Sequence, residues 1–190
     1  MPMKSHDATL IVPPSRYSRL SIALHWFMLA LLIGVYACIE LRGMYPRGSE
    51  PREALKMWHF MLGLTVFLLV WVRFAARLAR KVPPIVPPAP RWQMFIATLV
   101  EYGLYGLMFV LPPLGWLTLS AEGHVIPFFG LELPALVAPD KDLAGRTKEL
   151  HETLATAGYF LAGLHAAAAL FHHYVQRDNT LKRMWPARDS

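Results

Sequence analysis

The chain has 190 residues, of which 55% are hydrophobic and 17% charged, with a formal net charge of +6. Its apolar residues are gathered into four long blocks, which excludes an ordinary soluble domain, and its basic residues flank those blocks without forming an aromatic-interleaved stripe, which excludes a nucleic-acid surface. The single cysteine, Cys38, rules out an internal disulfide, a CxxC redox pair and a CxxCH attachment motif.

Residues 1–14 read as a flexible N-terminal lead-in and residues 15–190 as one transmembrane domain. A helix needs about 20 mostly apolar residues to cross a bilayer. The first block, Leu20 to Ile39, is too long for the apolar region of a cleaved signal, about 7–15 residues, and lacks a small-residue cleavage site, so it is expected to remain as helix one. A short charged connection, ELRGMYPRGSEPREALK, follows from Glu40 to Lys56. The second block runs from Met57 to Ala76 and ends before VPPIVPPAP (Val82 to Pro90), which cannot be helical.

The third block, Met94 to Leu117, contains Glu101, whose carboxyl suits either a proton path or a hydrogen bond to a neighbouring helix. The connection from Ala121 to Glu149 carries Phe128, Phe129, Leu131 and Leu133, and either lies against the membrane surface or caps the bundle. The fourth block is Leu150 to Val175. The expected fold is all-α, an integral membrane antiparallel four-helix bundle.

Lysines and arginines set the orientation. Three lie in residues 1–20, five from Arg73 to Arg91 (Arg73, Arg77, Arg80, Lys81, Arg91) and four in the tail (Arg177, Lys182, Arg183, Arg188), against four from Arg42 to Lys56 and three from Lys141 to Lys148. The positive-inside rule then places both termini in the cytoplasm.

Ionisable residues inside a bilayer usually face the bundle interior and mark cofactor or proton sites. His151 and His165 are 14 residues apart in the fourth block, which puts them on nearly one helix face about 21 Å apart along the axis. By topology, His59 and His151 lie near the outer surface, and His25 and His165 near the inner one. Two pairs at two depths are what two bis-histidine b-type haems require, held without covalent attachment. Gly63, Gly158 and Gly163 lie beside these histidines and suit either room for a porphyrin or close helix packing. Zinc, which needs three or four converging ligands, fits two separate levels poorly. His6 and His124 read as surface residues.

RYSRLSIALHW (Arg16 to Trp26), ELRGMYPR (Glu40 to Arg47), KELHETLATAGYF (Lys148 to Phe160), GLHAAAALFHHY (Gly163 to Tyr174) and DNTLKRMWP (Asp178 to Pro186) occur in order along the chain. Together they resemble the bacterial cytochrome b-561 family over residues 16–186, with the family's axial histidines falling on His25, His59, His151 and His165. The resemblance implies an antiparallel four-helix bundle with two b-type haems. It also implies, by similarity to superoxide oxidase, transfer of electrons from superoxide at the outer face to ubiquinone.

On that reading an outer surface that gathers superoxide should be basic. Arg42, Arg47, Arg52, Lys56, Arg146 and Lys148 are the available cations, with Lys148, one turn before His151, and Arg42, in the family motif, the leading choices. Arg73, 14 residues after His59, reaches inner-haem depth and either pairs with a haem propionate or snorkels to the headgroups. His172, beyond His165, is the first candidate quinone contact, with Ser21 and Arg16 as helpers. His173 at the same inner end is either a further ligand or a surface residue.

Bis-histidine ligation leaves no open iron position, which favours electron transfer over oxygen activation. Three function classes follow: a self-contained superoxide:ubiquinone oxidoreductase, a cytochrome b subunit relaying electrons from a partner dehydrogenase or soluble donor to quinone, and a haem-free bundle.

Overall fold

The computed structural model describes residues 15–186, so the lead-in expected over residues 1–14 lies outside the described residues. Four helices dominate: α1 (Arg19–Leu41), α2 (Glu50–Leu78), α3 (Arg91–Ala121) and α4 (Lys141–Tyr174). All four are long and apolar enough to cross a membrane, and large apolar side chains such as Leu20, Phe27, Trp71, Phe95 and Phe160 point outward from them. An outward-facing apolar surface is what lipid requires.

The apolar blocks fell short of most helix ends, α3 running Arg91–Ala121 instead of Met94–Leu117, and the largest shortfalls are at the starts of α2 and α4. α2 starts at Glu50 instead of Met57, because Pro51 sits in its first turn and Glu50 and Glu53 there complement the helix dipole. α4 starts at Lys141 instead of Leu150, with Asp140 accepting hydrogen bonds from the N–H groups of Asp142 and Leu143, both at 3.0 Å. Hydropathy sees the part of a helix in lipid and misses the polar turns beyond it. Ser18 caps α1 by accepting from the Ser21 N–H at 3.2 Å.

The α1–α2 connection keeps only a 3-10 turn, Arg42–Met44, and a tight turn at Gly48, whose φ of 79° suits a residue without Cβ. The long outer connection forms a hairpin, β1 (Ile126–Phe128) and β2 (Leu131–Leu133), with Ile126 opposite Leu133. Its two turn residues, Phe129 and Gly130, have φ of 48° and 86°, the left-handed pair that hairpin twist favours. Phe129 is an unusual residue there, and it is held by its ring against Trp58 (6.3 Å between centroids) and its N–H on the Met61 sulfur (3.4 Å). Ile126 is buried with Leu64 and Leu119, while Phe60, Trp116 and Leu133 close around them. Of the two positions left open by the sequence, the hairpin takes the cap over the bundle.

The main core lies among α1, α2 and α3, around Met28, Val66, Val70 and Tyr105. Backbones approach closely between α1 and α2, α2 and α3, and α3 and α4, whereas α4 has no such packing with α1 or α2. At the α3–α4 seam a Cβ on Gly103 would come 2.8 Å from Leu161, and Thr118 donates to Thr147 at 3.0 Å in a buried bond. Helix α4 therefore leans on α3 and faces α1 and α2 across a wider gap.

The tail after α4 ties the inner end together. Asn179 exchanges hydrogen bonds with Val86 (2.8 and 3.1 Å), the Arg183 guanidinium donates to the Pro83 carbonyl, the Tyr17 N–H donates to the Arg183 carbonyl (3.1 Å), and Trp26 Nε1 donates to the Met184 carbonyl (2.9 Å). One short segment thus fastens the proline-rich connection, the chain before α1 and α1 itself. Arg183→Ala leaves the buried Pro83 carbonyl without its donor and is expected to cost about 2–3 kcal/mol. Thermal unfolding in detergent checks this, and an unchanged Tm would mean that the clasp contributes nothing.

Candidate functional site

The four interior histidines meet in two pairs across the gap in front of α4. His59 of α2 faces His151 of α4 with ring centroids 6.3 Å apart and planes at 68°. His25 of α1 faces His165 of α4 at 6.2 Å and 64°. The partners are those that depth alone suggested, and the two pairs have nearly the same geometry.

Each pair has distinct surroundings. His59 Nδ1 lies 2.9 Å from the Val35 carbonyl; since a carbonyl only accepts, Nδ1 carries the proton and the lone pair falls on Nε2. His151 lies against Gly115, where a Cβ would be 3.2 Å from the ring. His59 and His151 line one cleft with Gly63, Pro112, Gly115 and Trp116. At the inner pair, Arg73 Nη2 is 3.1 Å from His25 Nδ1, and its guanidinium stands 5.8 Å over the Tyr105 ring. The Arg73 head group thus turns into the bundle and does not extend to the headgroups.

The glycines divide. A Cβ on Gly158 would meet the Tyr36 hydroxyl at 2.5 Å, so this position serves close packing, whereas a Cβ on Gly63 or Gly163 would meet nothing within 4 Å.

Residues 16–187 match the family model for prokaryotic cytochrome b561. The chain belongs to the prokaryotic cytochrome b561 family. It is 40% identical over 174 residues to "Cytochrome b561 homolog 1" of Escherichia coli, covering 92% of this chain and 99% of that protein. It is also 40% identical over 173 residues to the "Probable superoxide oxidase CybB" of Yersinia pestis, covering 91% and 97%. "Cytochrome b562" of Cereibacter sphaeroides is 31% identical over 177 residues, covering 90% and 96%. The protein is a membrane cytochrome of bacterial type, and its family implies b-type haem.

The side chains of this cytochrome b561 suit that group. Two metal–imidazole bonds of about 2 Å each, plus a ring radius on either side, separate ring centroids by about 6 Å, the spacing seen in both pairs. A ligand histidine commonly donates its second N–H to a backbone carbonyl, as His59 does to Val35. Among the described residues no group of three or more His, Cys, Asp or Glu converges to hold a bare ion; a porphyrin brings four nitrogens of its own and asks for two.

The other anticipated residues of the cytochrome lie where the following contacts put them. Arg42, half-buried in its 3-10 turn, is near enough for its charge to act on His59. Lys148 is exposed and lines a shallow groove with Glu122, Asp140 and Lys141, on the α3 side of α4. Arg52 is engaged with the carbonyls of Arg42 and Tyr45 (2.9 and 3.0 Å) and Lys56 with Glu53 (2.9 Å). Ser21 is occupied in the α1 cap, its hydroxyl 3.0 Å from that of Ser18, and Arg16 is exposed. Glu101 pairs with Arg77 at 2.7 Å, the neighbouring-helix alternative. His172 holds Asp178 at 2.7 Å.

Sequence reasoning missed the α1–α4 contact at the outer level: Tyr36 donates to the Ala155 carbonyl (2.9 Å), its ring lies 4.2 Å from that of Tyr159, and Tyr159 donates to Glu40 (2.8 Å). Both Glu40 and Tyr159 lie in quoted motifs, but no spacing rule links residues so far apart in the chain.

Proposed function

We propose that this cytochrome takes electrons from superoxide at its outer face and delivers them to ubiquinone at its inner face, with both termini cytoplasmic. The observation that carries the reading is the stacking of two matched histidine pairs at two depths of one bundle. The 40% identity to a protein described as a probable superoxide oxidase supports the choice of donor. Two superoxide anions give two electrons and leave as two oxygen molecules; one ubiquinone takes those electrons with two protons and leaves as quinol.

His59 and His151 would hold an outer b-type haem, and His25 and His165 an inner one. When bound, the two haems would supply one-electron carriers at two levels. Everything else falls to the protein. Val35 fixes the His59 tautomer, and Gly115 lets His151 approach α3. Nδ1 of His25 keeps its proton when Nε2 is the ligating atom, which leaves it and Arg73 as donors facing each other. Arg73 then needs an anion, and a propionate is the anion at hand.

At the outer face Arg42 and Lys148 draw in the superoxide anion, Arg42 more closely because Lys148 shares its groove with Glu122 and Asp140. At the inner face His172 contacts the quinone, with Arg16 and Ser21 beside the start of α1. Superoxide added to the purified protein, with no other protein present, is expected to reduce it and to drive ubiquinone reduction. Reduction only by a soluble donor or a dehydrogenase would replace this reading with that of a relay subunit.

The space at Gly63 gives a sharper check of the outer site. A Cβ at Gly63 would meet nothing within 4 Å, and in Gly63→Leu the rest of the side chain extends into the cleft that His59 and His151 share. It is expected to lower haem content while leaving the helical circular dichroism unchanged. Full haem content in this variant would remove the cleft from the site.

A further inference from the structure

Asp178 is 4% exposed, the one buried acid among the described residues, and it lies in the DNTLKRMWP segment, where Asn179, Arg183 and Met184 serve as fasteners. Its two oxygens have separate work. Oδ1 accepts the Thr180 N–H at 2.8 Å, closing a local turn, while Oδ2 is 2.7 Å from His172 Nδ1. The Asp178 N–H also donates to the His172 carbonyl at 3.1 Å. Burial works to raise this carboxyl, but the Thr180 N–H and His172 outweigh it and hold the group below the usual carboxylate range. Asp178 is thus the anionic acceptor, and His172 donates its Nδ1–H to it.

His172 follows His165 by seven residues on α4, two turns further along nearly the same face. With Nδ1 committed, Nε2 is the only ring atom left for another partner.

Resting on the quinone-reducing reading above, we propose that Asp178 is the positioning residue of the quinone end: it fixes the His172 ring and tautomer so that Nε2 exchanges a proton with a quinone oxygen. A carboxylate behind an imidazole sets its orientation and balances the charge it carries when protonated. Reduction of one quinone takes two electrons from the cytochrome and two protons. His172 gives one proton from Nε2 to a quinone oxygen and regains one from water at the inner surface, and the second proton comes from the same water.

Asp178→Asn separates this role from the structural one. Its amide oxygen still closes the Thr180 turn, but its NH2 group cannot accept from Nδ1, so His172 loses its acceptor or changes tautomer. Flipping the amide restores one partner only by setting NH2 against the Thr180 N–H.

The test reduces the purified cytochrome fully and follows its reoxidation by a short-chain ubiquinone and, separately, by ferricyanide, which takes an electron without a proton. Asp178→Asn is expected to slow the ubiquinone rate at saturation by about tenfold to a hundredfold, with the ferricyanide rate and the haem spectrum unchanged. Equal loss with both acceptors would show a structural role and overturn the proposal, as would an unchanged ubiquinone rate. Failure of the wild-type protein to be reoxidised by ubiquinone would instead overturn the quinone reading itself.

Discussion

Alanine at His151 is expected to remove one haem and leave the other, halving the haem-to-protein ratio, and His59→Ala should leave the same residual spectrum. His25→Ala and His165→Ala should share the complementary spectrum. The expectation follows from the two ring pairs, 6.3 and 6.2 Å between centroids, each joining α4 to a different helix. A haem left with one imidazole would lose one of the two histidines that hold it. Because His59 is additionally fixed by the Val35 carbonyl, the outer site is the better preorganised. Matching residual spectra from His59→Ala and His25→Ala would contradict the pairing.

Charge reversal at Arg42 is the second large effect expected. Superoxide is a small anion whose encounter rate depends on local positive potential, and steering of this kind is worth roughly ten- to a thousandfold at low salt. Arg42 stands near His59, whereas Arg52 and Lys56 are engaged with local partners and Lys148 shares its groove with Glu122, Asp140 and Lys141. Arg42→Glu should therefore slow reduction by superoxide about tenfold or more without changing haem content. Lys148→Glu should act in the same direction and less strongly. The difference from wild type should shrink as ionic strength rises. Equal rates for Arg42→Glu and wild type at low salt would remove this residue from the path of superoxide.

The four helices were legible because a bilayer demands long apolar runs whatever the detailed packing. Their polar ends were not, since the start of α4 is decided by Asp140 and that of α2 by Pro51 and its acidic first turn. The histidine pairs could be anticipated from the 14-residue spacing and the alternating direction of the helices, two regularities that survive without any knowledge of contacts. The supporting contacts could not. The Val35 carbonyl behind His59, the Tyr36–Tyr159 stack and the Arg73 turn toward His25 each join different helices, and sequence separation carries no sign of them. Gly158 and Gly63 show the limit most directly: both lie near histidines, yet one is filled by Tyr36 and the other opens into a cleft.

Two bis-histidine b-type haems in one four-helix chain would fix both the haem content and the spectrum of the protein. The most direct measurement is the haem-to-protein ratio of the purified, membrane-extracted protein, taken with its reduced-minus-oxidised and low-temperature electron paramagnetic resonance spectra. Two haems per chain are expected, both low-spin with two nitrogen ligands from histidine. One haem per chain, or a high-spin five-coordinate signal from intact protein, would contradict that expectation.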